Sequence, residues 1–302
     1  MKIDRVELYY VAVPLPVPLE VSAQPGLQFK NNELTFVRIT TDDGVVGESA
    51  GFTLGRAHAG IGETFGHFLL GRDPLDIAGF ADILEAGLAF GVRLAWIEPA
   101  LWDIAGKAAD LPVFRLLGGG RERVRTYCST GELRTPERRA EDLLELREKG
   151  FSAVKLRFHS ADWRDDLKVI AACRDAVGDT MDILVDANQG FHFNIFPGTP
   201  PQWDVATAVQ VARALEDFGV LWLEEPLDRN NYEGLRELRQ QTSMRIAGGE
   251  IMWRLHEYAL LVEKRCLDIL QTDAMFFGGI SLCRKVAALA EANHLGFAQV
   301  SL

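Results

Sequence analysis

The 302-residue sequence is short of positive charge: 32 lysines and arginines stand against 43 aspartates and glutamates, a formal net charge of −11. That balance argues against nucleic acid or an anionic membrane as the main partner. A small anionic ligand can still bind, provided cations are concentrated locally. No apolar run approaches the roughly 20 residues of a membrane-spanning helix. The opening residues, MKIDRVELYYVAV, alternate like a strand and lack the charged segment, apolar run and cleavage site of an export signal. A soluble, cytoplasmic protein is expected. The four cysteines (Cys128, Cys173, Cys266, Cys283) form no C-x-x-C pair, which favours buried free thiols over a disulfide framework or a zinc site. No G-x-G-x-x-G follows a strand-like run, and Gly118–Gly120 precedes the alternating part of the chain, so a Rossmann nucleotide site is unsupported.

What is present falls into two rhythms. With 48% apolar residues the chain can bury a large core and more than one domain. Residues 1–122 begin with strand-like runs at Ile3–Val13, Leu34–Thr40 and Gly44–Ser49, the last two joined through Asp42-Asp43-Gly44. Helical segments near 58–70, 75–89 and 94–109 follow, which predicts a small α+β domain. Over 123–302 short apolar runs alternate with helical stretches: Val124–Ser129, Ala153–Phe158, Ile183–Ala187, Leu221–Glu225, Arg245–Glu250, Leu267–Thr272 and Gly296–Ser301. The stretch 204–219 is typical, with Asp204 as cap, one apolar face and Gly219 as stop. Such alternation predicts βαβ units on a parallel sheet, and a TIM-type (β/α) barrel is preferred over a doubly wound sheet. Seven strands are counted where a closed barrel of about 250 residues has eight, so the barrel is expected to be open after the seventh.

The acids fall where chemistry would need them. Ile183-Leu184-Val185 runs into Asp186, Leu221-Trp222-Leu223 into Glu224, and Arg245–Gly249 into Glu250, each at the C-terminal end of a predicted strand. In a β/α barrel those ends converge on one mouth. Any one of these acids alone is equally well a helix cap, but three on successive strands are not. Converging carboxylates repel unless a cation joins them. All-oxygen ligands without cysteine indicate Mg²⁺, with Mn²⁺ next. Lys155, Arg157 and His159 share one face of the second run by period 2 and would supply positive charge for an anionic substrate. Asn188 and Gln189, just beyond Asp186, suit a water or substrate hydroxyl, although a loop turn explains Asn188-Gln189-Gly190 nearly as well. The alternation points the Glu225 side chain away from that of Glu224, either behind the candidate metal ligands or outward. His58 is a candidate substrate contact, Trp96 and Trp102 are packing residues, and His192, Phe193 and Phe196 either line the mouth or pack the loop to Trp203.

The chain resembles the enolase superfamily, in its mandelate racemase and muconate lactonizing subgroup. The resemblance rests on Ala100-Leu101-Trp102-Asp103-Ile104-Ala105-Gly106-Lys107 with Leu116-Leu117-Gly118-Gly119, on Val185-Asp186-Ala187-Asn188, on Leu223-Glu224-Glu225-Pro226, on Gly249-Glu250, and on Gln271-Thr272-Asp273 with Gly278-Gly279. It implies that residues 1–122 cap the barrel, with loops near 16–32 and 50–60 choosing the substrate. It further implies that Asp186, Glu224 and Glu250 bind magnesium, one ion per chain, and that the metal acidifies the α-proton of a small carboxylate substrate and stabilises the enediolate. A sugar-acid dehydratase assembled as a homo-oligomer is the leading expectation.

Two departures stand out. The family's K-x-K on the second strand reads Lys155-Leu156-Arg157, and arginine is a poor proton acceptor. Lys155 is then the candidate base, Arg157 the carboxylate binder, and His159 an alternative base. Asp273 matches the aspartate of the family's His–Asp pair, but Val300 falls about where the histidine belongs. A catalytically impaired binding protein is therefore the alternative, with a racemase or epimerase behind it.

Overall fold

The computed structural model describes residues 1–20, 28–53, 56–190 and 201–300. Two sheets organise them. The first is antiparallel, in the order β1-β2-β3, from β1 (Ile3–Glu20), β2 (Gln28–Thr41) and β3 (Val46–Phe52). β1 and β2 are longer than the sequence runs, because Pro14, Pro16 and Pro18 continue β1 as an edge strand. Proline costs least there, since the outward N–H has no ladder to join. The pairing nevertheless shifts register between Pro14 and Leu19. The expected closing loop near 16–32 is accordingly strand at both ends, while 21–27 lie outside the described residues.

Helices α1 (Ile61–Leu69), α2 (Ile77–Ala86) and α3 (Glu98–Ala109) pack on this sheet. Val37, Ile39, Phe80, Leu101 and Ile104 form the centre of their shared core. Contact is close enough to require glycine: a Cβ at Gly47 would collide with the Ala100 carbonyl on α3. Trp96 is buried in this core, with its indole N–H donating to the Arg93 carbonyl. After the short α4 (Val113–Leu116) the chain enters the second sheet.

That sheet is parallel throughout, seven strands in the order β10-β9-β8-β7-β6-β5-β4. Its members are β4 (Cys128–Ser129), β5 (Ala153–Arg157), β6 (Asp182–Asp186), β7 (Leu223–Glu224), β8 (Ile246–Gly248), β9 (Ile269–Asp273) and β10 (Gly296–Val300). Helices α5 (Pro136–Glu148), α6 (Trp163–Val177), α7 (Val205–Glu216), α8 (Tyr232–Gln241), α9 (Leu255–Glu263) and α10 (Gly279–Ala292) make the connections. Their starts follow sequence chemistry: Thr135, Asp162, Asp204 and Asn231 each accept a backbone N–H of the first turn. Outward residues Val154, Leu156, Ile183, Val185 and Leu223 meet Ile170, Ala208, Ala212 and Leu215 of the helices in the main core. Inward residues Ala153, Leu184, Trp222, Ala247 and Ile269 fill the inside of the curl. The expected barrel is thus a curled half-barrel under an antiparallel cap. Among the described residues all four cysteines are free, three of them buried, and no helix is long and apolar enough to cross a membrane.

The two sheets meet across the ends of β8 and β9. Glu98 on α3 accepts the backbone N–H of Ser281 on α10 at 3.1 Å. Arg254 pairs with Glu85 at 3.0 Å, Phe52 packs on Phe276, and the Arg93 guanidinium lies 4.2 Å from the Trp253 ring centre.

Candidate metal centre and its surroundings

Strand register places the acids. Asp186 and Glu224 are lateral partners at the C-terminal ends of β6 and β7, and Glu224 is in turn level with Ala247 on β8. Period 2 then points Lys155 and Arg157 on β5, Asp186 on β6, Glu224 on β7 and Gln271 on β9 into one space. Lys155 Nζ lies 2.6 Å from Glu224 Oε1 and 3.4 Å from Asp186 Oδ2. Arg157 Nη1 donates to Asp186 Oδ2 at 2.8 Å and to Asn188 Oδ1 at 3.0 Å. Gln271 Nε2 donates to the other Glu224 oxygen at 2.8 Å. All but Arg157 and Asn188 are buried.

Glu250 stands differently. β8 ends at Gly248, Gly249 takes φ 104°, and Glu250 lies in the turn beyond rather than on the strand. No hydrogen bond or ion pair engages it among the described residues, although Glu224, Lys155 and Asp186 act on it electrostatically. Glu225 departs from the strand alternation. Its φ of 44° interrupts the strand, and its buried carboxyl packs against Gly190, where a Cβ would collide with it. Of the two placements the sequence leaves open, the outward one does not apply: the Glu225 carboxyl is buried, and Glu250, Asp186 and Glu224 act on it electrostatically.

The electrostatics are those of a site short of positive charge. Four carboxylates, Asp186, Glu224, Glu225 and Glu250, face two cations, Lys155 and Arg157. Burial works against the charge of Asp186, but Lys155 and Arg157 outweigh it and hold that carboxyl below its usual range. Glu224 is pushed up by burial and by Asp186. Glu250 is pushed up to about 7 by burial and by Glu224, and Glu225 well above its usual range by burial and by Glu250. Asp186, beside both Lys155 and Arg157, is the carboxyl that keeps its charge. Lys155 itself is opposed by burial, yet Glu224 and Asp186 keep its ammonium charged above the lysine range.

No three acidic, histidine or cysteine side chains among the described residues already surround a common metal position. Lys155 stands where the first two carboxylates meet, as a charge-neutralising neighbour. The residues nonetheless fit a hard divalent cation: the donors are all oxygen, Glu250 has no hydrogen-bond or ion-pair partner among the described residues, and the mutual repulsion that pushes Glu250 and Glu225 up is what a cation there would relieve.

The remaining candidates are scattered around this centre. Asp273, at the end of β9, is buried; its Oδ1 accepts the backbone N–H groups of Met275 and Phe276, and its Oδ2 has no hydrogen-bond partner among the described residues. His159 does not join Lys155 and Arg157. Its ring is 3.4 Å from Asp166, which also accepts the backbone N–H groups of His159 and Ser160. His58 belongs to the cap, stacked on Trp96 and 2.8 Å from the Thr35 hydroxyl. Gln189 is buried and bridges the Ala187 carbonyl and the Trp203 N–H. His192, Phe193 and Phe196 lie outside the described residues.

Comparison with known proteins identifies the family. Residues 5–118 match the mandelate racemase / muconate lactonizing enzyme N-terminal domain, and residues 138–301 match the enolase C-terminal domain-like family. An L-talarate/galactarate dehydratase from Salmonella typhimurium is 32% identical over 97% of this chain and 74% of its own length. A racemase from Streptomyces coelicolor A3(2), solved with bound magnesium, is 28% identical, with TM-score 0.86 over 99% of this chain and 84% of that one. An L-talarate dehydratase from Polaromonas sp. JS666, solved with Mg and L-glucarate, is 29% identical, with TM-score 0.86 over 99% and 81%. On these matches the chain belongs to the mandelate racemase / muconate lactonizing enzyme family of the enolase superfamily.

Proposed function

We propose that this protein is an acid-sugar dehydratase that holds one Mg²⁺ on Asp186, Glu224 and Glu250, with Mn²⁺ as a substitute. The observation carrying the proposal is the convergence of Asp186 and Glu224 at adjacent strand ends with Glu250, whose carboxyl has no hydrogen-bond or ion-pair partner among the described residues. When bound, the ion supplies positive charge beside a substrate carboxylate and the enediolate that forms on loss of the α-proton, which is electrostatic stabilisation of the transition state. Residues 1–122 act as the capping domain and 123–302 as the barrel domain.

Lys155 is the proton acceptor in this reading. Glu224 and Asp186 hold its ammonium charged, so it accepts a proton only when those carboxylates are engaged elsewhere. Arg157 keeps its proton and binds the substrate carboxylate, the role that suits a planar guanidinium. Asn188, already oriented by Arg157, receives a substrate hydroxyl. The Asp166 contact makes His159 a weaker candidate base, and His58 contacts substrate from the cap. Asp273, level with Val300 of β10, keeps one carboxylate oxygen without a hydrogen-bond partner among the described residues. The free thiols support a cytoplasmic location. The exposed apolar residues Tyr9, Tyr10, Val11, Val13 and Val17 of edge strand β1 support a homo-oligomer.

Incubating the protein and Mg²⁺ with a panel of mono- and diacid sugars tests the proposal. A 2-keto product from at least one is expected, and none from any overturns it. Val300 beside Asp273 favours a second reading, a metal- and ligand-binding member with impaired turnover. Ligand binding without product would support that one. A racemase needs bases on both substrate faces, and among the described residues the face of Val300 offers Asp273 without a histidine beside it.

A further inference from the structure

The end of the half-barrel opposite the acids holds a second concentration of charge. Between the C-terminal ends of α8 and α9 and the foot of β8 lies a cavity of about 360 Å³, lined by Arg236, Arg239, Arg245 and Arg265 with Ser243 and Asp268. Two of these arginines are committed. Arg239 Nε donates to Asp268 Oδ1 at 2.7 Å, and Arg236 pairs with Glu233 at 2.6 Å. Glu216, a further nearby acid, accepts the backbone N–H groups of Ser243 and Met244 and the Ser243 hydroxyl. Neither Arg245 nor Arg265 has an ion pair or a side-chain hydrogen bond among the described residues.

Cations near a helix C-terminus complement its dipole. That accounts for Arg239 on α8 and for Arg265 just past α9. It does not account for Arg245, which precedes β8, nor for the open space the four side chains share. Arg265 also holds a left-handed backbone, φ 57°, where glycine or asparagine would sit more easily. In a chain of net charge −11, the four arginines lining this cavity outnumber Asp268, Glu233 and Glu216 around them, so the local balance is positive. Their planar forks match the oxygens of a tetrahedral oxyanion better than lysines would.

We propose that this cavity binds a phosphate group, as inorganic phosphate or as the phosphate of a small monoester, held by Arg245 and Arg265 in the field of Arg236 and Arg239. The site is at the N-terminal face of the strands, apart from the acid cluster, and does not depend on the reaction proposed above.

Titration calorimetry of the full chain tests the proposal, with inorganic phosphate and, separately, glycerol phosphate, at ionic strength fixed with chloride. Saturable binding is expected, weakened about tenfold or more in an R245Q/R265Q double variant, since each guanidinium removes a charge-assisted hydrogen bond. Tighter binding of the monoester identifies an ester as the ligand; equal or weaker binding identifies phosphate itself. Heat no larger than that of a chloride control, or equal affinity in wild type and double variant, overturns it. If the double variant is misfolded, arginine Nε–Hε NMR of the wild type decides. Phosphate-dependent shifts at Arg245 and Arg265 support the site, and shifts elsewhere overturn it.

Discussion

Val300 stands beside Asp273 in the paired strands β10 and β9, and Asp273 Oδ2 is buried there without a hydrogen-bond partner among the described residues. Parallel neighbours in register face the same side, and Ala298, two residues earlier, already packs inside the curl. A side chain at position 300 therefore projects on the same side of the sheet as Asp273. Val300→His is expected to place an imidazole against Asp273, with its pKa raised above the usual 6.5 by the carboxylate. NMR titration of the new ring checks this, and a value at or below 6.5 contradicts the pairing. On the impaired-turnover reading the same variant also raises product formation; unchanged activity counts against that reading.

Lys155 is the internal counter-charge of Asp186 and Glu224. Lys155→Met leaves two buried carboxylates facing each other, and breaking a buried pair by removing one partner costs about 3–5 kcal/mol. Denaturant unfolding in chelator is expected to show a loss of that order, largely recovered on adding Mg²⁺. A loss under about 1 kcal/mol would mean that Lys155 is not paired as described.

Glu225 and Glu250 set a pH dependence of unusual direction. Both carboxyls are raised, Glu250 to about 7. In the unfolded chain they lose their protons near pH 4.3, so between that value and about 7 the folded state holds more protons. Raising pH through this window therefore favours unfolding. Glu98 and Asp273, raised by burial, act in the same sense. Asp186 is lowered, so its contribution changes only below about pH 4. Without divalent ion the denaturation midpoint is expected to fall from pH 5 to pH 7.5, and Mg²⁺ removes the decline. A midpoint that rises across this range in chelator contradicts the raised pair.

Gly47 couples the cap's sheet to α3. Gly47→Ala forces a methyl into the Ala100 carbonyl, and overpacking of this kind costs about 1–3 kcal/mol. Unfolding of the variant with near-wild-type stability would show that the sheet and helix separate freely.

The strand–helix rhythm and the acids at strand ends were legible because apolar runs stop abruptly at Asp186 and Glu224, and charge at such a boundary leaves few places to point. Other features hid behind backbone conformations that periodicity does not encode. A positive φ at Gly249 carries Glu250 off β8, and another at Glu225 breaks the alternation that turned its side chain away. Prolines masked the length of β1 because edge position, which excuses them, is a tertiary fact. His159 continues the period of Lys155 and Arg157 on paper, but β5 ends at Arg157 and the buried Asp166 draws the ring to α6. The cap contacts of His58 and Glu98 join residues far apart in sequence, which no local pattern announces.

The most direct measurement is Mn²⁺ titration followed by electron paramagnetic resonance, with Mg²⁺ in competition. One ion per chain is expected, displaced by Mg²⁺ and bound about tenfold or more weakly in Glu250→Gln, which removes a charged ligand while keeping its shape. No saturable Mn²⁺ binding, or equal affinity in Glu250→Gln and wild type, would contradict a metal centre on Asp186, Glu224 and Glu250.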